Sequence, residues 1–344
     1  MSKQYDVYGV GHALVDTVLE VEDSFLERFE IPKGTMSLVD GARQQELLSH
    51  LPAEKALQAC GGSAANSMIA VAQFGGRAFH VGQVAEDDTG EVFIRDMRAN
   101  GVDHRLDMHY AKGRTGRCLV LVTPDAERTM LTNLGVSEQV GTQNLRPTEL
   151  NLADYLYVEG YLVSSPSALG LAVQAVAEGR KAGVKTSLTF SDIHMVRHVR
   201  EGMESIIGPG LDLIFCNENE ALEYAETDDL SEAKRKLRTR CQAYAITLGP
   251  RGASLFDGDK EIEIPGRIVD AKDTNGAGDL FAGVFLRELA RGAGFEKAGR
   301  LAALAILLPT QRTKLLKSIV SLKNLFKRHS SEFLTNGGVR RYDE

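Results

Sequence analysis

The chain has 344 residues and a formal net charge of -7, with 43% hydrophobic and 25% charged residues, a balance that suits a globular protein with a sizeable core. The negative charge argues against non-specific nucleic-acid binding. No stretch is apolar and long enough to span a membrane, and residues 1–8 lack a basic region followed by an apolar core, so the sequence predicts a cytoplasmic protein.

Residues 5–11 alternate in polarity and end in glycines, which predicts a central strand leading to Asp16 at a strand end. Gly9-Val10-Gly11 offers two glycines of a dinucleotide fingerprint. Leu14 stands at the third position, however, and Val15, Thr17, Leu19 and Val21 alternate like another strand, which argues against such a site. Met36-Ser37-Leu38-Val39 reads as a short strand, and residues 117–134 as a hairpin turning at Thr123-Pro124-Asp125-Ala126. Together they predict a small β lid built from segments of about 13–40 and 105–135, with Arg128 in its hairpin. Between these segments, the Gly-rich stretch Cys60-Gly61-Gly62-Ser63-Ala64-Ala65-Asn66 opens an apolar helix through Met68, Ile69, Val71, Ala72 and Phe74.

From Asp154 onward strands alternate with helices: a strand at 155–158, a helix at 167–183, a strand at 185–190, a helix near 196–207 and a strand at 211–216. This predicts an α/β fold with a mostly parallel sheet, helices on both faces and ligands at the carboxyl ends of the strands. Asn217-Glu218-Asn219-Glu220 follows one such end. Residues 245–248 form the next strand, which runs into Gly249-Pro250-Arg251-Gly252 and a hairpin across Asp257-Gly258. His194 and His198 have metal-ligand spacing, but they lack a third ligand nearby and read as surface histidines. The four cysteines, Cys60, Cys118, Cys216 and Cys241, are too scattered for a metal pattern and read as buried free thiols.

The stretch Asp273-Thr274-Asn275-Gly276-Ala277-Gly278-Asp279 precedes the apolar run Leu280, Phe281, Val284, Phe285, Leu286. A helix opening there presents amides without internal partners and the positive end of its dipole, which suits a phosphate, with the Asp279 carboxylate beside it as a base. A Gly-rich turn and an acidic residue also begin ordinary helices, so this stretch alone leaves both readings open. There is no Gly-x4-Gly-Lys-Ser/Thr loop to hold a nucleotide instead.

Residues 61–76 and 273–285 together resemble the paired signatures of the phosphofructokinase-B, or ribokinase-like, carbohydrate kinases. The similarity extends over residues 5 to about 308 and is closest to the adenosine kinase branch. It implies a ribokinase-like three-layer sandwich with a β lid, a kinase domain at 1–308 and a divergent basic tail at 309–344. The implied activity is ATP- and Mg²⁺-dependent phosphorylation of a primary hydroxyl on a ribosyl nucleoside, with adenosine leading. A free sugar or sugar phosphate remains open as acceptor, as does a ligand-binding homologue with impaired nucleotide binding.

Carried over position by position, the resemblance makes Asp279 the base and lets the backbone of Asn275, Gly276, Ala277 and Gly278 stabilise the transferring group, with Arg128 reaching it from the lid. Asp16, Gly61, Gly62 and Asn66 would hold the acceptor. Asn217 and Glu220 would organise Mg²⁺ and its water, and Thr247 and Gly249 would face the nucleotide. At His12 the branch often has Asn. No nucleic-acid or membrane partner is implied, and the chain is expected as a monomer or homodimer. The resemblance stops in the tail, which carries eight Lys or Arg against three Asp or Glu from Pro309 onward. There Ile319, Leu322, Leu325 and Phe326 recur at helical spacing, leaving an amphipathic helix and a disordered tail both open.

Overall fold

The computed structural model describes residues 3–52, 56–125, 127–266 and 276–306. Asp273, Thr274 and Asn275 lie outside the described residues, as does the basic tail at 309–344. In chain order the strands are β1 (Tyr5–Val10), β2 (Leu14–Glu20), β3 (Met36–Leu38), β4 (Leu57–Gly61), β5 (Ala78–Val81), β6 (Val102–His104), β7 (Gly116–Val122) and β8 (Arg128–Asn133). They continue with β9 (Ala153–Glu159), β10 (Lys185–Thr189), β11 (Leu211–Asn217), β12 (Cys241–Thr247), β13 (Gly252–Phe256) and β14 (Glu261–Pro265).

Among the described residues, nine strands form the main sheet in the order β14-β13-β12-β11-β10-β9-β1-β5-β6. The pairings from β12 through β6 are parallel, and the β13–β14 hairpin closes one edge antiparallel. Alternate side chains divide between the two faces, as strand geometry requires. Tyr8, Val10, Leu156 and Val158 enter one core, under helices that include Pro166–Lys181 and Arg200–Ile207. Val7, Tyr157, Leu213 and Phe215 enter the other, under helices that include Ser63–Gln73, Asp88–Ala99 and Ala277–Ala290. The result is the three-layer α/β sandwich that the sequence predicts. The single helix expected near 196–207 is instead two, Ile193–His198 and Arg200–Ile207, because Val199 between them takes φ -129 and ψ 33, outside the helical region.

A second, five-stranded sheet follows the order β3-β8-β7-β2-β4 around its own small core, which includes Leu19, Phe29, Leu119, Leu121 and Leu131. Its strand β4 pairs antiparallel with β2, Leu14 opposite Gly61 and Asp16 opposite Ala59. The sequence does not flag this strand, since Leu57 and Gln58 face solvent and only Cys60 and Gly61 are buried, so it carries no alternating pattern. The four cysteines are buried and free.

The main sheet reverses direction of growth between β1 and β9. From β1 the chain goes out to β5 and β6, then returns on the other side through β9, β10, β11 and β12. A crevice opens at the carboxyl ends of strands at such a switch point. The β1–β2 connection at Gly11, His12 and Ala13 leaves the main sheet for the second sheet at this crevice.

Candidate active site

Two helices begin at the crevice, each behind a glycine in a backbone region that other residues seldom adopt. Gly62 precedes the Ser63–Gln73 helix with φ 94, and Gly276 precedes the Ala277–Ala290 helix with φ 74. In the second helix the first internal bond runs from Leu280 N to Gly276 O at 2.8 Å, so the Ala277 and Gly278 amides have no acceptor inside the helix. The two helices pack against each other one turn further along. A Cβ on Gly283 would stand 2.4 Å from the Ser67 carbonyl oxygen and 2.7 Å from the Ala70 Cβ, so glycine permits the close approach.

This packing brings the first turns of both helices side by side. Ser63 Oγ donates to Asp279 Oδ1 at 2.6 Å, and Asn66 Nδ2 donates to Asp279 Oδ2 at 3.0 Å. Both oxygens of the carboxylate are therefore engaged from one neighbouring helix turn. Asp16 reaches the same place from the second sheet: a Cβ on Gly61 would stand 1.9 Å from Asp16 Oδ1, so the carboxylate rests on glycine backbone where no side chain fits. Asp16, the stretch that holds Gly61, Gly62 and Asn66, and Asp279 lie far apart in the chain and are thus neighbours in space.

Beneath them sits a group that sequence reasoning missed. Glu159 ends β9, is 1% exposed, and accepts hydrogen bonds from the His12 amide at 2.7 Å and the Ala64 amide at 2.8 Å. It ties the exit of β1 to the start of the Ser63–Gln73 helix. Burial pushes its carboxyl up to about 8 against the two amide bonds that favour the charged form, and the Asp279 charge adds to the rise. The available signal was a lone carboxylate closing an apolar strand, just before a glycine, at the carboxyl end of a parallel sheet. His12 is buried in the floor beside it, with Nδ1 3.2 Å from the Ser137 carbonyl, and burial lowers its pKa.

Asn217 and Glu220 cap the Glu218–Ala225 helix reciprocally. Glu220 N donates to Asn217 Oδ1 at 2.8 Å, while Asn217 N and Nδ2 donate to the two Glu220 carboxylate oxygens at 3.0 and 2.8 Å. Burial raises the Glu220 carboxyl to about 7, helped by the charges of Asp192 and Asp279. Thr247 is the register partner of Asn217 across β11 and β12, and Gly249 follows with φ 58. Arg128 is placed differently. It opens β8 opposite Val122, in the row of Glu20, whereas Asp16 lies in the row of Cys118 and Thr132. Four residues of strand, roughly 13 Å, separate the two rows, so Arg128 stands at the end of the second sheet away from its connection to β1. His194 and His198 are exposed, and no group of three or more metal-ligating side chains occurs among the described residues. Among those residues no helix is long and apolar enough to cross a membrane.

The family model for "pfkB family carbohydrate kinase" matches residues 43–313. Adenosine kinase 1 of Arabidopsis thaliana is 26% identical over 332 residues, covering 89% of this chain and 94% of that protein. Among solved structures, the adenosine kinase from Sinorhizobium meliloti superposes with a TM-score of 0.83 at 34% identity, covering 88% of this chain and 93% of that one. A probable sugar kinase protein from Rhizobium etli CFN 42 superposes with a TM-score of 0.85 at 33% identity, covering 93% of this chain and 99% of that one.

Proposed function

Since this chain belongs to the pfkB family of carbohydrate kinases and is a sugar or nucleoside kinase, we propose that it transfers the γ-phosphoryl group of ATP to a primary hydroxyl of a ribosyl nucleoside, with adenosine the leading acceptor. The observation that carries this reading is the Asp279 carboxylate, held at a helix start beside amides that have no acceptor inside the helix, and within the group formed by Asp16 and Gly61. An alcohol needs a proton acceptor as it attacks phosphorus, and the phosphoryl oxygens need donors where their charge concentrates.

Asp16 and Asn66 would hold the acceptor's hydroxyls, placing the reacting oxygen next to Asp279. That oxygen bonds to the γ-phosphorus as the bond to the ADP oxygen breaks, and its proton passes to Asp279. The amides of Ala277 and Gly278 at the helix start would bind the transferring group, with Gly276 shaping the turn. Arg128 would add its charge when the second sheet folds over the crevice, which also keeps water from the phosphoryl group. Thr247 and Gly249, at the end of β12, would face the nucleotide.

Kinases of this type use ATP, typically with Mg²⁺. The residues present fit such an ion held through water. The Glu220 carboxylate, fixed by two bonds from Asn217, offers at most a few oxygens, which suits a cation that keeps most of its own water. When bound, the ion neutralises phosphate charge. Asn217 and Glu220 hold each other in place for that contact.

A sugar is the second reading, favoured by the likeness to the probable sugar kinase, whose chain is covered almost completely. Incubating the protein with ATP, Mg²⁺ and single acceptors (adenosine, inosine, ribose and fructose) and measuring ADP decides between them. Adenosine is expected to give the highest kcat/KM. A preference for ribose or fructose would move the assignment to a sugar, and no ADP with any of a wider panel would refute it.

A further inference from the structure

We infer that Ser63 is a positioning residue for phosphoryl transfer, fixing the orientation of the Asp279 carboxylate before the acceptor arrives. The inference rests on the reading of Asp279 as the base. A carboxylate on a single methylene rotates about two bonds, and a single anchor leaves its plane undetermined. Among the described residues two anchors hold it: Ser63 Oγ on Oδ1 at 2.6 Å and Asn66 Nδ2 on Oδ2 at 3.0 Å. Asn66 also stands where the acceptor would be held. Ser63, at the first helical position, has the anchoring of Asp279 as its evident task.

Three features set the Ser63 hydroxyl aside for this. It makes no capping bond to its own helix, because the cap position is Gly62. It has one proton, and that proton is given to Asp279. From below, the buried phenol of Tyr157 in β9 faces the hydroxyls of Ser63, Ser67 and Thr189, and it stays neutral because of burial and the nearby Asp279 charge. One turn along, the close approach of Gly283 to Ser67 fixes the spacing of the two helices, so the bond from Ser63 is not left to chance. Each carboxylate oxygen has two lone pairs, so Oδ1 can hold the Ser63 bond and still accept the acceptor's proton.

The test is steady-state kinetics on the full chain with ATP and Mg²⁺, using adenosine and, in parallel, ribose as acceptor. Ser63→Ala is expected to lower kcat by about tenfold to a hundredfold, the usual weight of a hydrogen bond to a charged group, with KM for both substrates nearly unchanged. Ser63→Thr keeps the hydroxyl and is expected to restore most of kcat. Ser63→Cys keeps the shape with a weaker donor and should fall between. In an Asp279→Asn background, Ser63→Ala should have no further effect on kcat, since the bond then orients a group that cannot take the proton.

Equal kcat in wild type, Ser63→Ala and Ser63→Cys overturns the inference while leaving the proposed function standing, provided Asp279→Asn is inactive. So does a Ser63→Ala protein that melts earlier but turns over at the wild-type rate below its melting range. If Ser63→Ala does not fold, the ratio of Ser63→Cys to Ser63→Thr decides by the same rule. An Asp279→Asn protein that retains full activity, or a wild type that releases no ADP, overturns the reading of the site and this inference with it.

Discussion

Gly283 lies so close to Ser67 that a methyl group on it would stand 2.4 Å from the Ser67 carbonyl oxygen. That contact holds the Ala277–Ala290 and Ser63–Gln73 helices at the distance that lets their first turns share a carboxylate. Gly283→Ala must push the helices apart or distort one of them. Overpacking of this kind typically costs about 1 to 3 kcal/mol, and urea unfolding should show a loss of that order. Activity should fall as well, because Asp279 moves away from Ser63 and Asn66. A variant with wild-type stability and kcat would show that the helix spacing is not critical.

Asp279→Asn tests the base directly. Removing a general base costs roughly 10² to 10⁴ in rate, or about 3 to 5 kcal/mol of barrier, while acceptor binding should stay near the wild-type value. The variant must melt with the wild type for the comparison to hold. Retention of more than about a tenth of wild-type kcat would remove Asp279 from the base role.

Asp16→Ala separates acceptor binding from nucleotide binding. Hydrogen bonds to a charged acceptor contribute roughly 1.5 to 3 kcal/mol each, so acceptor affinity should fall at least about tenfold with ATP affinity unchanged. Isothermal titration measures both. Equal acceptor binding in variant and wild type would rule out the assignment.

His80 is expected to make the fold acid-sensitive. It is fully buried beside β6, and neither ring nitrogen has a hydrogen-bond partner among the described residues. Burial, with the neighbouring His104 adding to it, lowers its pKa from 6.5 to about 3. In the window between those values the unfolded chain binds the proton and the folded chain does not, so stability rises with pH across it. The slope from this group is about 1.4 kcal/mol per pH unit, which makes the loss at pH 5 about 2 kcal/mol relative to pH 7. His80→Leu should remove that loss, and chemical denaturation of both proteins at pH 5 and pH 7 checks it. An unchanged pH dependence would mean the ring is protonated at little cost.

Glu159 works in the opposite direction. Its carboxyl rises from 4.5 to about 8 in the fold, so between those values the folded chain holds a proton that the unfolded chain releases. Stability from this group therefore falls as pH rises through the window. Glu159→Gln cannot ionise, so its stability relative to the wild type should improve steadily from pH 5 to pH 8. A constant difference across that range would show that Glu159 is already ionised at pH 5.

Much of this molecule was legible in local chemistry. The apolar character of residues 5–11 and the strand–helix rhythm after Asp154 determined a mostly parallel sheet covered on both faces, because strand and helix periods differ and parallel neighbours need a crossover, usually a helix laid on the sheet. The glycines at 62 and 276 marked two helix starts, because a turn that tight needs backbone freedom there. What the tertiary structure decided was the company these elements keep. Ser63 and Asp279 are 216 residues apart and became partners only through the packing of two helices at Gly283, a contact with no local pattern. Strand β4 was invisible because its outer half faces solvent, so its place beside β2 depends on pairing rather than on burial. Glu159 ended an apolar strand as any charged residue might end one. Its meaning came from the switch point between β1 and β9, where folding buries its carboxyl against two amides from distant segments and carries it out of the ordinary carboxylate range.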